Sequence, residues 1–115
     1  MDPSCAFCRI VNRDAPADIV HESDSVLAFR DANPQASTHI LLIPKDHVPS
    51  ARDLTDQHAG VLIELVMTAS DLAKAEGVDE SGWRLLTNVG SDALQSVHHL
   101  HFHLIGGRRM GWPPG

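Results

Sequence analysis

Apolar positions along the 115-residue chain switch between two spacings. From Ile19 to Ile43 they fall in short β-rich runs: Ile19-Val20-His21-Glu22, Ser25-Val26-Leu27-Ala28-Phe29 and His39-Ile40-Leu41-Leu42-Ile43. The first two are joined tightly around Ser23-Asp24, which is a hairpin signal. The third is nearly continuous in apolar character, which points to a central strand stopped by Pro44. Between Thr55 and Glu76 the spacing becomes helical. Val61, Leu62, Leu65, Ala69, Leu72 and Ala73 form one stripe, with Glu64, Ser70, Asp71 and Lys74 on the wet side. Thr55 caps this helix and Gly77 ends it. A shorter helix is predicted over Cys5 to Val11, followed by a turn at Asp14-Ala15-Pro16-Ala17. Trp83 to Asn88 predicts another strand and Gly90 to Leu94 a loop. Strands outnumber helices and do not alternate regularly with them, so the fold class is α+β with a mainly antiparallel sheet. The length predicts a single domain over residues 1–115.

The last strand carries the chemistry. It reads His98-His99-Leu100-His101-Phe102-His103-Leu104-Ile105, followed by Gly106-Gly107-Arg108. In an extended strand His99, His101 and His103 share one face, with neighbours roughly 6–7 Å apart, while Leu100, Phe102 and Leu104 share the other. Three explanations compete for the imidazole row: a hydrogen-bonded polar sheet face, a metal site, or nucleophilic catalysis on phosphorus. Gly90-Ser91-Asp92 and Gln95-Ser96 before the strand, and the glycine pair after it, supply small residues, backbone amides and a hydroxyl. Oxyanions are held by donors of that kind, which favours the third explanation.

Net charge is −6, from 15 acidic and 9 basic side chains, which argues against general nucleic-acid or anionic-membrane binding. No apolar run approaches a membrane span of about 20 residues. The start, Met1-Asp2-Pro3-Ser4-Cys5, lacks a secretory pattern, so a cytoplasmic protein is expected. The two cysteines sit as Cys5-Ala6-Phe7-Cys8. In a cytosolic chain this spacing reads as half of a metal site or as a pair of reduced, packed thiols.

These residues together resemble the histidine triad superfamily. His99-Leu100-His101-Phe102-His103-Leu104-Ile105 matches its pattern of three histidines alternating with apolar residues. Phe29-Arg30-Asp31, Pro34-Gln35-Ala36, Thr38-His39, Ile43-Pro44-Lys45-Asp46-His47, Asn88-Val89-Gly90-Ser91-Asp92 and Gln95-Ser96-Val97 extend the match. The ending Trp112-Pro113-Pro114-Gly115 is similar to that of the Hint branch.

The resemblance implies a homodimer. Each subunit would have a five-stranded, mainly antiparallel sheet with one long and one short helix, and the sheet would continue across the dimer. It implies hydrolysis of purine nucleoside 5′-phosphoramidates, such as AMP joined to an amine, with His101 as nucleophile and a nucleotidyl-histidine intermediate. His103 would donate to the phosphate, with His99, His39 and Ser96 completing the catalytic group. His39 matches a histidine buried behind the strand. Asp31 and Ala32 would sit at the ribose and base, Asn88 near the phosphate, and Leu94, Gln95 and Ser96 along the α-phosphate. No catalytic metal is required. The match to bacterial-type members implies a structural zinc ion held by Cys5, Cys8, His47 and His99.

Two positions depart from the pattern. Leu94 stands where the branch commonly has Gly, and its side chain is expected to narrow the leaving-group side. His98 stands where Tyr is common and is expected to be structural. His21 and His58 are expected at the surface, and Trp83 and Trp112 in packing or at the dimer interface. Two other functions remain open: a dinucleoside polyphosphate hydrolase or nucleotidyltransferase of the same superfamily, and a nucleotide-binding regulatory module.

Overall fold

A computed structural model describes residues 2–115. Five antiparallel strands form one sheet in the order β1-β2-β3-β5-β4. They are β1 (Ile19–Glu22), β2 (Val26–Arg30), β3 (Thr38–Pro44), β4 (Trp83–Leu86) and β5 (Phe102–Gly106). Helix α1 (Ala6–Val11) covers one face and helix α2 (Ala59–Ala75) the other. This is the α+β, five-stranded arrangement with one short and one long helix expected from the sequence.

Alternation along β2 and β3 feeds both faces. Val26, Ala28, Ile40, Leu42 and Leu104 pack with Leu65, Ala69 and Ala73 of α2. Leu27, Phe29, Leu41 and Ile43 point the other way and pack with Cys5, Phe7 and Cys8. All seven residues of β3 are buried, because its neighbours on both sides and both helices enclose it. A central strand without a wet face reads as a continuous apolar run, and this one does.

The long helix starts differently from the expectation. Its α-helical pattern begins at Ala59, preceded by a 3₁₀ turn over Asp56–His58. The capping expected of Thr55 is present: its hydroxyl accepts from the Gln57 amide at 3.3 Å. His58 Nδ1 accepts the Thr55 amide at 2.9 Å, so an imidazole takes the place a Glu or Gln fills in most capping boxes. At the other end Gly77 has φ +76°, a conformation that suits glycine. The Gly77 and Val78 amides return to the carbonyls of Lys74 and Ala73, and Val78 packs into the core.

The last strand is shorter than expected. β5 begins at Phe102, so His99 and His101 lie in the segment leading into it. The reason is on β3. Leu42 pairs with Phe102, and two residues further along β3 is Pro44, which has no amide to donate. The lead-in is held by other bonds. The Leu100 amide donates to the Val48 carbonyl at 2.6 Å, and Thr87 Oγ1 donates to the His101 carbonyl at 2.8 Å.

Candidate active site and metal centre

The three triad histidines lie on the α1 side of the sheet, and each has a different set of partners. His101 is 5% exposed and its Nδ1 lies 2.7 Å from the His99 carbonyl. A carbonyl only accepts, so Nδ1 carries the proton and Nε2 keeps its lone pair. Phe7 braces the ring edge-on, with centroids 5.0 Å apart and planes at 87°. His101 lines a cavity of about 620 Å³ together with His103, Asp31, Ala32, Ser96 and Arg30.

His103 sits one step along the same face, with its ring centroid 5.1 Å from that of His101. Across the sheet, His39 on β3 reaches it diagonally, with Nε2 2.9 Å from His103 Nδ1. His39 therefore lies beside the histidine row on the neighbouring strand, not behind it. Asp31 Oδ2 is 3.4 Å from the same His39 nitrogen. Burial, reinforced by the neighbouring His101 and His39, pushes the His103 pKa down to about 4. Burial also lowers that of His39, with Asp31 opposing. Both rings are thus neutral near pH 7, and His103 can give a hydrogen bond without carrying charge.

The third imidazole turns to the cysteines. His99 is fully buried, and its Nε2 donates to the Pro44 carbonyl at 2.8 Å. Its Nδ1 lone pair faces Cys5 Sγ at 3.4 Å, Cys8 Sγ at 3.6 Å and His47 Nδ1 at 3.2 Å. Cys8 Sγ and His47 Nδ1 are 3.3 Å apart. A tetrahedral zinc ion, with bonds of roughly 2.0–2.3 Å, needs ligand-to-ligand edges of roughly 3.3–3.8 Å. The four atoms fit such an ion, and the Pro44 carbonyl supplies the outer hydrogen bond that orients a ligating histidine. Cys5 is the N-cap of α1 and Cys8 lies one turn into it, so this helix presents both sulfurs to one point. Burial raises the Cys8 thiol above its ordinary pKa, and a bound cation would reverse that.

The structure brings Asp31, Ala32, Ser96, His101 and His103 around one cavity. Leu94 and Gln95 do not line it. The Leu94 amide is bonded to the Ser91 carbonyl at 3.0 Å and the Gln95 amide to the Gly90 carbonyl at 3.1 Å. The Gln95 side chain is likewise engaged, accepting from the Gly90 amide and donating to the Pro49 and Val97 carbonyls. Leu94 adopts φ +61° and is 83% exposed, so its side chain points to solvent at the tip of the turn. Asn88 follows β4 two residues after Leu86, which pairs with His103. His98 is exposed and belongs to neither cluster. His58 is absorbed by its helix cap, and Trp83 packs against the α2 side of the core.

Sequence reasoning missed Phe7 and Ile10 as cavity walls. The signal was available, because they stand three apart on the same short helix as the cysteines. Both Phe7 and Cys8 face inward, so the helix that closes the metal cluster also closes the cavity.

Comparison with known proteins gives concordant matches. The family model described as "Scavenger mRNA decapping enzyme C-term binding" matches residues 4–111. A "14 kDa zinc-binding protein" of Brassica juncea is 48% identical over 111 residues, covering 95% of this chain and 97% of that one. The "Purine nucleoside phosphoramidase" of Escherichia coli K12 is 43% identical over 105 residues, 91% of this chain and 88% of that one. The crystal structure of a HIT family hydrolase from Legionella pneumophila superposes with a TM-score of 0.95 at 47% identity, covering 97% of this chain and 100% of the other.

Proposed function

The chain belongs to the histidine triad superfamily, in its Hint branch, and is a nucleotide hydrolase; from that premise we propose that it cleaves the P–N bond of purine nucleoside 5′-monophosphoramidates through a nucleotidyl-His101 intermediate. The observation that carries the reading is the 2.7 Å bond from His101 Nδ1 to the His99 carbonyl, which leaves Nε2 as a free lone pair at the cavity wall. The similarity to the Escherichia coli phosphoramidase supports the substrate class.

The chemistry follows from the donors. His101 Nε2 forms a bond to phosphorus while the bond from phosphorus to the amine nitrogen breaks. That nitrogen leaves well only with a proton, which the exposed Ser96 hydroxyl at the cavity wall can relay from solvent, and the proton shed by the attacking water in the second step returns to solvent. His103 Nε2–H meets the charge growing on the phosphoryl oxygens. Water then attacks phosphorus, the His101–phosphorus bond breaks, and the nucleoside monophosphate leaves with the imidazole restored. Asp31 and Ala32 border the same cavity and suit the ribose and base.

Zinc at Cys5, Cys8, His47 and His99 would be structural, because four protein ligands leave no open position. It would tie α1 to the sheet. Cysteines placed as metal ligands, not bridged to each other, suit a reducing, cytoplasmic setting. No helix among the described residues is long and apolar enough to cross a membrane.

The working form is a homodimer. Ile63, Val66 and Met67 stand on the outer side of α2 at 60%, 43% and 62% exposure, an apolar stripe that a second copy can cover by two-fold symmetry. Light scattering should give twice the chain mass of 12.5 kDa, and a value near 12.5 kDa at micromolar concentration would rule the dimer out.

The test of the reaction is to quench the protein during turnover of an AMP–amine conjugate and digest it. An adenylyl group on the peptide containing His101, with release of AMP and free amine, is expected. Turnover of a dinucleoside polyphosphate with no action on the conjugate would favour the other hydrolase reading, and AMP binding without turnover of either a regulatory module.

A further inference from the structure

We propose that His39 is a positioning residue: it takes its tautomer from the backbone amide of Gln35 and thereby fixes His103 as an Nε2–H donor toward the phosphoryl group. The inference rests on the reading that this cavity receives a phosphoryl group, and it names the residue that sets the donor.

The chain of bonds has a definite direction. The Gln35 amide lies 3.0 Å from His39 Nδ1. A backbone amide only donates, so His39 Nδ1 is an acceptor and cannot hold a proton. The neutral ring must then carry its proton on Nε2. That nitrogen is 2.9 Å from His103 Nδ1, too close for two protons between them. His39 therefore donates and His103 Nδ1 accepts, with Asp31 Oδ2 at 3.4 Å as a flanking acceptor. The remaining nitrogen of His103, Nε2, is left with the proton.

A second observation points the same way. His103 Nε2 is buried, and among the described residues it is the one buried side-chain polar atom without a hydrogen-bond partner. Buried donors in folded proteins are nearly always paired, so this one calls for an acceptor from outside the chain. His103 lines the cavity beside His101, and a phosphoryl oxygen there would supply it. The same three residues also bring Asp31 Oδ2, His39 Nε2 and His103 Nδ1 within 4.8 Å of one another, as a metal site would. The Gln35 amide argues against an ion, because a proton on His39 Nε2 already fills the gap between the rings.

The test reads the proton position directly. Histidine ring ¹⁵N spectra of the intact protein should show His103 protonated on Nε2 and bare on Nδ1. His39→Gln keeps a side-chain N–H near the place of the imidazole Nε2–H, whereas His39→Leu removes it. In His39→Leu, His103 should divide between its two tautomers and kcat for the AMP–amine conjugate should fall about ten- to a hundredfold, with a much smaller change in KM. His39→Gln should restore the Nε2–H tautomer and most of kcat. Gln35→Pro deletes the amide at the head of the chain and should scramble both rings without touching either, whereas Gln35→Ala, which loses only the side-chain bond to the Asn33 carbonyl, should leave both tautomers in place. An unchanged His103 tautomer in His39→Leu, or equal losses in the Leu and Gln variants, would overturn the proposal. If the wild type turns over no phosphoramidate, the reaction assignment fails while the tautomer result still stands or falls by itself.

Discussion

Cys5, Cys8, His47 and His99 in one part of the α1-side face, and Asp31, His39 and His103 in another, each gather ligand-type atoms within 4.8 Å of one another. What separates the two clusters is the partner on the far side of each ring. His99 gives its proton away from the cluster, to the Pro44 carbonyl, so a lone pair faces inward beside two sulfurs. His39 receives a proton from outside, from the Gln35 amide, so an N–H faces inward. Inward lone pairs that converge are stabilised by a cation. An inward N–H aimed at a lone pair is complete without one. A backbone carbonyl in one place and a backbone amide in the other make similar imidazoles into a metal centre and a hydrogen-bond relay.

The sharpest way to separate them is at the ring between. His101→Ala removes the free Nε2 lone pair and should lower turnover by several orders of magnitude while AMP still binds, since the loss falls on the chemical step. Steady-state kinetics and calorimetric titration with AMP give the two halves. Near-normal turnover would end the covalent mechanism.

The next largest effect concerns metal content. Zinc should load at close to one ion per chain, and a Cys5→Ser/Cys8→Ser double substitution should reduce it to near zero. An Asp31→Asn substitution should leave the count at one, because its cluster is closed by hydrogen bonds. Elemental analysis of protein equilibrated with zinc and desalted distinguishes them. Two ions per chain would collapse the comparison. Because α1 has only six residues, too short to persist unaided, the double substitution should also expose it to hydrogen exchange.

Acid gives an effect of a few kcal/mol at most. The His103 pKa is held at about 4 in the folded chain, against about 6.5 unfolded. Between these values the unfolded chain binds the extra proton and the folded chain does not. The stability that goes with a neutral His103 is therefore fully present above pH 6.5 and lost progressively as pH falls toward 4, by up to about 3 kcal/mol. His103→Gln should flatten that part of the stability curve, measured by urea unfolding at stepped pH. An identical slope in both proteins would show that His103 is not held neutral.

The smallest effect lies outside both clusters. Leu94 holds φ +61°, which costs a residue with a Cβ about 1 kcal/mol. Leu94→Gly should raise Tm by a few degrees and leave zinc content unchanged. A fall in Tm would mean that the exposed leucine makes a stabilising contact, such as with a second copy.

Much of this was legible in the residue order. The run from His39 to Ile43 reads as an enclosed strand because β3 has no wet face, and Gly77 marks the helix end because the chain turns left-handed there. The cysteine pair with His47 and His99 could be named from resemblance, and the four atoms converge. Other features depend on distant partners and leave no local trace. The short β5 follows from Pro44, 58 positions before its start. The meeting of His39 with His103 needs the diagonal offset of two antiparallel strands. The commitment of the Leu94 and Gln95 amides to their own turn follows from closure between Gly90 and Gln95. Phe7 looks like filler between cysteines until the helix axis is known.

One spectrum tests the central claim most directly: the long-range ¹H–¹⁵N correlation of the histidine rings in the zinc-loaded protein near pH 7. The account predicts His99 protonated on Nε2 with Nδ1 metal-bound, His101 protonated on Nδ1 with Nε2 bare, and His103 protonated on Nε2 with no metal signature on it or on His39. A proton on His101 Nε2, or metal-bound shifts at His39 and His103, would contradict it.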